Sequence, residues 1–584
     1  MKKQAKPESK QKSVKNKLDG IVLRLSHTSL PEIALLCAVI FGKYLKNADF
    51  SYPNELIVPI LFFAILATVV VFIYHLVLRG WLATRVASLL LCYTLYSYSY
   101  LPGWVKGLGK LPLPKSFETT YSKSVAITII LALLCGAVGW GVAMLVKKVK
   151  FLGQLQLHKI ILFFILFTFT YQSGAVLMRW QDIQKELAYK YDMPAYERDE
   201  NKQLQTPDIY YFVFDRYTNV NRLKDNFGYD NTGLMDFLKG QGFVTREDGY
   251  SNYPFTMMSI SSTMRMGYHT DLGKQFGNGN YQGAFAYRYI LNNPPIAQVL
   301  RKHGYTYNQI SSWWDFTRYN ANAEGNQTKS FRLRIFGKNF YLSDLNRDIL
   351  NKSIMSPWIK KGITVGSLPI VKYDQDRNPA QNFHSQIAAV KEIAARTDKS
   401  VPQFTFAHIL APHDPYVFDA NGKEPNYDSG RNDWGIDERT KYTEELTYIN
   451  KQMRTTMAHI REKSPNAVII IQADEGPYPK AFRYDKLTPD HYYDPSTLSL
   501  FDEKQKYGII ASYYLPGVDE QTVRQNITAS VNPFRFILKE YMGYKLDMLP
   551  DCQFATGNKF TIYTFKNETA KLSGKDAEVC ETLK

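Results

Sequence analysis

The sequence predicts an α/β protein in two parts: a multi-pass transmembrane helical region, followed by a domain whose mostly parallel central sheet is covered by helices. Three observations lead to this prediction. Long apolar runs are confined to the first 180 residues. After residue 207, short apolar runs of strand length alternate with amphipathic helical patterns, which is typical of a parallel sheet with helices on both faces. The chain has 584 residues, more than one ordinary domain needs.

The apolar runs of the first part predict about five membrane-spanning helices between residues 28 and 178. A helix needs about 20 mainly apolar residues to cross a hydrocarbon core about 30 Å thick. Two of the runs fit this less well, because one is short and contains Glu32 and the other contains Arg85. The three strong candidates are residues 56–78, 124–146 and 160–178, and the two weaker ones are residues 30–44 and 81–101.

Positive charge is concentrated in the same part of the chain. The net charge is +17, and residues 1–206 contain 25 Lys and Arg against 12 Asp and Glu, whereas residues 207–584 contain 46 against 42. By the positive-inside rule, we expect residues 1–27 to form a basic cytoplasmic tail and the chain after residue 178 to be exported, although the loop with Lys106 runs against the rule. Because the charge surrounds membrane runs, we expect no nucleic-acid partner.

Residues 179–206 are polar and end before Pro207. We predict a linker there, an exported domain over residues 207–550 and a C-terminal tail over residues 551–584. Of the five cysteines, only Cys552 and Cys580 follow the linker, and an exported pair can oxidise, so we predict a disulfide between them. The alternative is two free thiols, because a sequence does not show how far apart two residues lie.

Four strands and four helices are predicted in the exported domain. The strands are Ile209–Phe214, 404–410, 467–471 and 507–515, and the helices are 233–239, 295–302, 383–396 and 442–461.

Charged or polar side chains follow three of these strands. Asp215 ends the first, His413 follows the second, and Asp474 with Glu475 ends the third. The carboxyl ends of parallel strands meet at one edge of a sheet, where ligands bind. Carboxylates that converge there repel each other unless a cation neutralises them, so we predict a divalent metal. Each carboxylate taken alone is as well explained as a helix cap or turn former.

A nucleophile is predicted at Thr256. In SNYPFTMMSISSTMRM a proline precedes a hydroxyl residue and a helix-compatible run, which puts Thr256 at a helix N-terminus. The amide groups and the dipole there favour an attacking alkoxide and an anionic substrate. The alternative is a helix cap without chemistry. If the helix begins later, Ser259, Ser261 and Ser262 are the fallback nucleophiles.

The order of several motifs resembles the sulfatase-like branch of the alkaline phosphatase superfamily. The nearest similarity is to membrane-anchored enzymes related to lipoteichoic acid synthase, which have five spans and an exported catalytic domain. The motifs are PDIYYFVFD, SNYPFTMMSISS, FTFAHILAPHDPYVFDANG, VIIIQADEGP and YGIIASYYLPG with VNPFRFILKEY.

The resemblance implies that Asp215, Thr256 and Asp474 hold a metal and that Thr256 takes the transferred group covalently. The sequence departs from the family at two positions. The family's late Asp-His-Gly is here Asp474-Glu475-Gly476, and Arg216 stands where the nearest relatives carry glycine. With Glu475 as a fourth ligand the set is all oxygen, which suits Mn²⁺ or Mg²⁺ best and Ca²⁺ next, ahead of Zn²⁺.

The resemblance also implies residues that contact the substrate. His413 would stabilise charge or protonate a leaving oxygen. Arg216 would partly offset the negative charge of Glu475, and Trp313 and Arg318 in SSWWDFTRY would face the substrate, although interfacial packing explains the aromatic residues equally well. His408, within a predicted strand, is interpreted as a hydrogen-bonded core histidine.

Together, these expectations predict that the protein is a membrane-anchored, metal-dependent phosphoryl transferase or hydrolase that acts on a lipid headgroup or an envelope glycopolymer. One alternative is a catalytically degenerate domain that binds envelope polymer or organises partner proteins, which Glu475 and Arg216 suggest. A further alternative is sulfuric-ester hydrolysis, although no cysteine lies near residue 256 and the Cys-x-Pro-x-Arg maturation segment is absent. Bound metal distinguishes the enzyme from the binding domain.

Overall fold

The structure is a computed structural model that divides into two compact units. The first unit comprises Met1–Asp182 and Ser330–Gln375, and the second comprises Ile183–Lys329 and Asp376–Lys584. Most of the predicted basic tail and the loop around Lys106 lie outside the described residues. The structure describes residues 16–17, 19–25, 27–101, 122–149, 153–277, 283–326, 332–335, 338–356, 363–365, 368–374, 379–424, 438–479, 498–556 and 562–583.

Apolar helices make up most of the first unit. Three segments in the described residues are long and apolar enough to cross a membrane: Pro53–Leu78, Val125–Lys148 and Gln154–Leu187. The segments Asp19–Leu25 and Leu30–Leu45, bent by 78°, would give a fourth span if they form one. The chain is therefore a membrane protein. The helices are α1 (Leu30–Leu45), α2 (Ile57–Leu78), α3 (Trp81–Tyr96), α4 (Ser122–Lys148) and α5 (Gln154–Leu187), with short 3₁₀ turns at Pro53–Leu56 and Tyr98–Tyr100.

The two charges that weakened the predictions for α1 and α3 face each other. Glu32 of α1 and Arg85 of α3 form a buried ion pair. Arg85 also donates to the carbonyl oxygens of Leu25 and Thr28, both at 2.8 Å. Charges within apolar helices are costly unless they are paired, so each of these residues makes the other tolerable.

An insertion from later in the sequence completes the first unit. Within Ser330–Gln375, the amide of Ile354 donates to the Leu95 carbonyl at 2.8 Å, Asp348 forms an ion pair with Lys43, and Lys352 lies 5.7 Å from the Tyr100 ring centroid. Nothing in the sequence distinguished this insertion from the rest of the domain predicted over residues 207–550. It contains an antiparallel sheet of strands Arg332–Ile335, Lys338–Tyr341, Ile363–Val365 and Leu368–Asp374 and the helix Asp344–Lys352.

A seven-stranded sheet organises the second unit and confirms the predicted α/β fold. Its strands are β1 (Ile209–Phe214), β2 (Val244–Arg246), β3 (Thr306–Ile310), β4 (Gly325–Asn326), β5 (Gln403–Ile409), β6 (Val468–Gln472) and β7 (Ala511–Tyr514); Phe554–Thr556 and Phe565–Asn567 pair separately. In the order β2-β7-β6-β1-β5-β3-β4, the neighbours from β6 to β4 pair in parallel, and β7 is antiparallel to both of its neighbours.

Helices cover both faces of this sheet, so its central strands are buried on both sides. In β1, Tyr211 and Val213 contribute to one apolar core and Phe212 and Phe214 to the other. The helices are Val220–Arg222, Thr232–Gly240, Thr256–Arg265, Thr270–Phe276, Phe285–Asn292, Pro295–Arg301, Asp315–Arg318, Pro379–Ala394, Glu438–Lys463, Leu500–Tyr507, Glu520–Asn526, Asn532–Met542, Thr569–Ser573 and Glu578–Glu581, with a π-turn at Leu223–Phe227.

Several predicted boundaries differ from the structure, and two of the differences change the interpretation of a segment. The strand predicted at 507–515 begins only at Ala511, because Tyr507 ends a helix. Helix α5 continues to Leu187, nine residues into the predicted linker. Later linker residues pack on the second unit, where Arg198 Nε donates to the Met542 carbonyl at 2.7 Å.

The predicted disulfide is confirmed. Cys552 and Cys580 are bonded, with their Cα atoms 5.7 Å apart. Both are buried in the second unit, and the bond closes a loop within the C-terminal tail of this unit. Cys37, Cys92 and Cys135 are buried free thiols in the first unit.

Candidate active site

Three ionisable side chains meet at the carboxyl ends of adjacent strands. Asp215 follows β1, His408 lies near the end of β5, and Asp474 follows β6. One potential ligand atom from each lies within 4.8 Å of the others, and all three side chains are buried. The side chains of alternate strand residues point to the same face of a sheet. Val213 and Phe406 pack in the same apolar core, and Asp215 and His408 each follow one of them by two residues, so Asp215 and His408 lie on the same face as that core.

The electrostatics of this group favour a cation. Burial raises the pKa of Asp215 to about 8, and the negative charge of Glu475 is the next largest cause. Burial also raises the pKa of Asp474 to about 8, with the negative charge of Asp215 as the next largest cause. Burial lowers the pKa of His408 to about 4, so its imidazole is neutral. Asp215 Oδ1 and His408 Nε2 have no hydrogen-bond partner in the part of the chain that the structure describes. Buried polar atoms without partners are costly, and a divalent metal would satisfy them, so the residues present fit such an ion.

The interpretation of His408 as a hydrogen-bonded core histidine is therefore only half right. Its Nδ1 lies 2.8 Å from Thr317 Oγ1, whereas its Nε2 faces Asp215 Oδ2 at 3.5 Å. The sequence pattern of β5 alone does not show which residues of β1 and β6 share its face.

Thr256 is the first residue of a ten-residue helix, as the sequence pattern predicted. Phe255 before it is extended, and Met258 and Ile260 anchor the helix in the core that holds Val213. The Thr256 hydroxyl lies close enough to the Asp474 carboxylate to lower its pKa, and the side chain is half-buried.

The fallback serines point into their own helix or its entry. Ser259 donates to the Tyr253 carbonyl, Ser261 to the Met257 carbonyl and Ser262 to the Ser259 carbonyl. Of the hydroxyls in this segment, Thr256 is therefore the one that interacts with the acidic group.

Glu475, predicted as a fourth metal ligand, lies between two cations. Its Oε2 is 2.8 Å from Lys506 Nζ, and its Oε1 is 3.4 Å from Arg216 Nε. All three side chains are at most 5% exposed. Glu475 is outside the group formed by Asp215, His408 and Asp474. Lys506 was not predicted, because a single lysine at the end of an amphipathic helix gives no sign of burial.

Arg216 is held by several groups inside the fold. It pairs with Asp414 as well as Glu475, and its guanidinium lies 4.3 Å from the Tyr478 ring centroid. Its backbone φ is +61°, a left-handed value that glycine adopts readily and arginine seldom does. Its carbonyl accepts a hydrogen bond from the Tyr442 hydroxyl at 2.9 Å, which helps to hold that conformation.

His413 lies in the loop after β5, and its side chain is 18% exposed. Its Nδ1 contacts the Asp414 carbonyl, which can only accept, so Nδ1 carries the proton and Nε2 has a lone pair. Burial, followed by Arg216, lowers the pKa of His413 to about 3. The neutral ring can therefore accept a proton from a substrate hydroxyl, whereas the resemblance implied that His413 stabilises charge or protonates a leaving oxygen.

The aromatic loop reaches the same region. The ring of Trp313 meets the ring of His413 edge-on with centroids 5.9 Å apart. Trp314 stacks on Phe316 at 4.7 Å and lies 5.6 Å from the ring of His408. Arg318 is buried, and it donates to the Trp313 carbonyl at 2.6 Å and to Asp315 at 3.0 Å. Arg318 therefore holds the loop, and Trp313 is the half-buried side chain beside His413.

The comparisons with known proteins agree with the motifs. Residues 225–499 match the family model described as Sulfatase. Over this region the chain is similar to the sulfatase family. The matched region includes Thr256, His413, Asp474 and Glu475, whereas Asp215 precedes it.

Solved structures similar to the chain include three at low identity. The lipooligosaccharide phosphoethanolamine transferase EptA from Neisseria meningitidis is 12% identical, with 90% of this chain and 96% of that chain covered and a TM-score of 0.38. The periplasmic domain of EptC from Escherichia coli is 10% identical, with 66% and 99% covered and a TM-score of 0.38. The lipoteichoic acid synthase LtaP from Listeria monocytogenes is 11% identical, with 65% and 83% covered and a TM-score of 0.33. No curated protein matches the chain.

Proposed function

We propose that the chain is a membrane-anchored, metal-dependent transferase or hydrolase of phosphoryl groups, and that Thr256 carries the group covalently. One observation carries this proposal. Thr256 begins its helix beside Asp474, and Asp474 belongs to the buried group with Asp215 and His408. A nucleophilic hydroxyl, an anion-binding helix terminus and a cation site in one place are what attack on a phosphate ester requires.

A divalent ion at Asp215 and Asp474, with Thr256 beside it, would lower the pKa of the threonine hydroxyl and neutralise charge on the phosphoryl oxygens. Mn²⁺ and Mg²⁺ are the leading candidates, with Ca²⁺ and Zn²⁺ as alternatives.

The reaction has two halves. In the first, a bond forms between Thr256 Oγ and phosphorus while the bond from phosphorus to the leaving oxygen breaks; Thr256 releases a proton and the leaving alkoxide takes one up. In the second, an acceptor hydroxyl or water attacks the phosphothreonine, and His413 Nε2 accepts its proton. That proton then passes to the Thr256 oxygen, which returns the enzyme to its starting state.

The substrate is a lipid headgroup or an envelope glycopolymer. The membrane helices hold the domain beside a bilayer, where lipid-linked molecules are at high effective concentration. The Cys552–Cys580 disulfide supports an extracytoplasmic catalytic domain, because such bonds form in oxidising compartments. Trp313 and His413 face the substrate in this proposal, whereas Arg216 and Arg318 position the loops around it.

A phosphorylation assay on the full chain in detergent tests the proposal. The protein is incubated with Mn²⁺ and a phospholipid labelled in its phosphodiester headgroup, and the label on the protein and the released lipid are both measured. We expect a labelled chain that becomes unlabelled when Thr256 is replaced by alanine. Ser262→Ala is the matched control, because its hydroxyl lies on the same helix and bonds to the Ser259 carbonyl.

The main alternative is a catalytically degenerate binding domain, favoured by Glu475 at the position of the family histidine. A folded chain that binds lipid but holds no ion after metal supplementation, and is neither labelled nor active, would support it. Sulfuric-ester hydrolysis is the further alternative, and release of sulfate from an aryl sulfate without release of phosphate would support that reaction.

A further inference from the structure

By direct contact, the ionisable side chains around the site form two sets. The first contains Asp215, Asp474 and the neutral His408, and its ligand atoms face one another within 4.8 Å. The second contains two cations and two carboxylates: Lys506 with Glu475, and Arg216 with both Glu475 and Asp414. The second set is electrically balanced within itself. The first set has two carboxylates and no cation among the described residues, so one divalent ion would balance it.

A hydrogen-bonded chain orients His408 toward the first set. Its Nδ1 lies 2.8 Å from Thr317 Oγ1, which lies 2.7 Å from Ser312 Oγ, which lies 3.2 Å from the Trp314 carbonyl. Because the chain ends on an acceptor, it is complete when each hydroxyl donates onward and Nδ1 donates to Thr317. The Nε2 lone pair then points at the carboxylates. A metal-binding histidine is oriented in this way, with its second ring nitrogen donating to a fixed acceptor.

We infer that the chain holds a single divalent ion through Asp215, Asp474 and the imidazole of His408, and that Glu475 is a counter-charge for Arg216 and Lys506 rather than a ligand. The inference rests on the metal dependence of the proposed function and goes beyond it by assigning the ligands and the stoichiometry. The imidazole ligand is thus supplied by His408 of β5, whereas in the family it is supplied by the residue at position 475.

This assignment changes the expected metal. An all-oxygen set with Glu475 would favour Mg²⁺, Mn²⁺ or Ca²⁺. One imidazole with two carboxylates favours Zn²⁺ or Mn²⁺ and disfavours Ca²⁺, which takes six to eight oxygen ligands. We therefore expect Zn²⁺ or Mn²⁺ to bind more tightly than Ca²⁺.

Metal binding to the full chain in detergent tests the inference without any turnover. Metal-free protein is titrated with Zn²⁺ and with Mn²⁺ by calorimetry, and bound Mn²⁺ is examined by pulsed EPR for coupling to an imidazole nitrogen. We expect one ion per chain and a nitrogen coupling. His408→Ala should weaken binding at least tenfold and remove the coupling, whereas Glu475→Gln should change affinity less than threefold. His413→Ala is the matched histidine control and should keep the coupling.

A second variant covers the case in which His408→Ala does not fold. Thr317→Val removes only the group that orients His408, and it should weaken binding several-fold while the nitrogen coupling persists or broadens. Two ions per chain, no ion, or a loss of affinity in Glu475→Gln equal to that in His408→Ala would overturn the inference. If the metal results are as expected but Thr256 takes no label, the proposed function fails and the ligand assignment stands.

Discussion

The Nζ of Lys506 lies 2.8 Å from Oε2 of Glu475, and both side chains are buried next to Asp474. Burial lowers the pKa of Lys506 to about 8, and the adjacent carboxylate acts against this and favours the charged form. The two charges depend on each other, because either one left alone would be a buried charge with weaker compensation. The Glu475–Lys506 pair therefore ties the helix Leu500–Tyr507 to the end of β6.

Replacing one partner of this pair should cost more stability than replacing both. Among the residues that the structure describes, Lys506→Met leaves Glu475 with the longer contact to Arg216 as its single ion pair, and we expect a loss of about 3–5 kcal/mol in the free energy of unfolding. The double variant Glu475→Gln/Lys506→Met should lose clearly less. Denaturant unfolding in detergent measures both. Additive losses would contradict the buried pair.

Gly476 should not tolerate a side chain. A Cβ atom there would lie 1.9 Å from the Gln505 carbonyl oxygen and 2.8 Å from that of Gly508, and both are backbone atoms. We expect Gly476→Ala to destabilise the chain by about 2 kcal/mol or more. Gly267→Ala is the matched control, since nothing lies within 4 Å of its Cβ position, and its change should stay within about 1 kcal/mol. Equal unfolding midpoints for the two variants would refute this account.

His269 should make stability depend on pH. Its Nδ1 lies 3.1 Å from Arg265 NH1, which can only donate, so the ring is neutral and its Nε2 donates to the Met258 carbonyl at 2.9 Å. Burial, followed by Arg265, lowers its pKa to about 3, with Asp271 acting in the opposite direction. Tyr253 and Tyr287 also contact the ring.

Because the unfolded histidine takes up its proton near pH 6.5, this group removes stability as the pH falls from about 6.5 toward 3. The free energy of unfolding falls by about 1.4 kcal/mol for each pH unit between about 6.5 and 3. His269→Gln should flatten the dependence between pH 6.5 and 4.5 by roughly 2 kcal/mol. Unfolding curves at several pH values provide the test, and parallel curves for variant and wild type would be the contrary result.

Loss of the disulfide should destabilise the second unit. The bond closes a loop with a sequence separation of 28 residues, and removing such a constraint from the unfolded chain costs about 3–4 kcal/mol by the chain-entropy account. We expect Cys552→Ala/Cys580→Ala to lower the unfolding temperature, and a reductant to have the same effect on the wild type. Cys37→Ala, which removes a buried free thiol, should not change the response to reductant.

The sequence predicted the parts of the fold that depend on local pattern. Strands β1, β5 and β6 have continuous apolar runs and were predicted to within one residue at each end. The short strands β2, β3 and β4 were missed, because two to five residues with mixed polarity form strands only through their neighbours.

The candidate site shows the same limit. Asp215, Thr256 and Asp474 could be proposed from the sequence because each follows a recognisable pattern. His408 was not found, since its meaning depends on the register of β5 against β1, where it lies opposite Val213. Lys506 and Asp414 acquire their roles through partners far away in the sequence, and no local pattern predicts such pairs.

The discontinuous first unit has a consequence for biosynthesis. Residues Ser330–Gln375 leave the ribosome about 150 residues after Asp182, a delay of roughly 7–30 s at 5–20 residues per second. During this time the Leu95 carbonyl and the Lys43 ammonium lack the partners that Ile354 and Asp348 later provide. The membrane helices are therefore synthesised before residues Ser330–Gln375, which complete the first unit only after residues Ile183–Lys329 of the second unit have been made. The order of synthesis and the order of assembly thus differ.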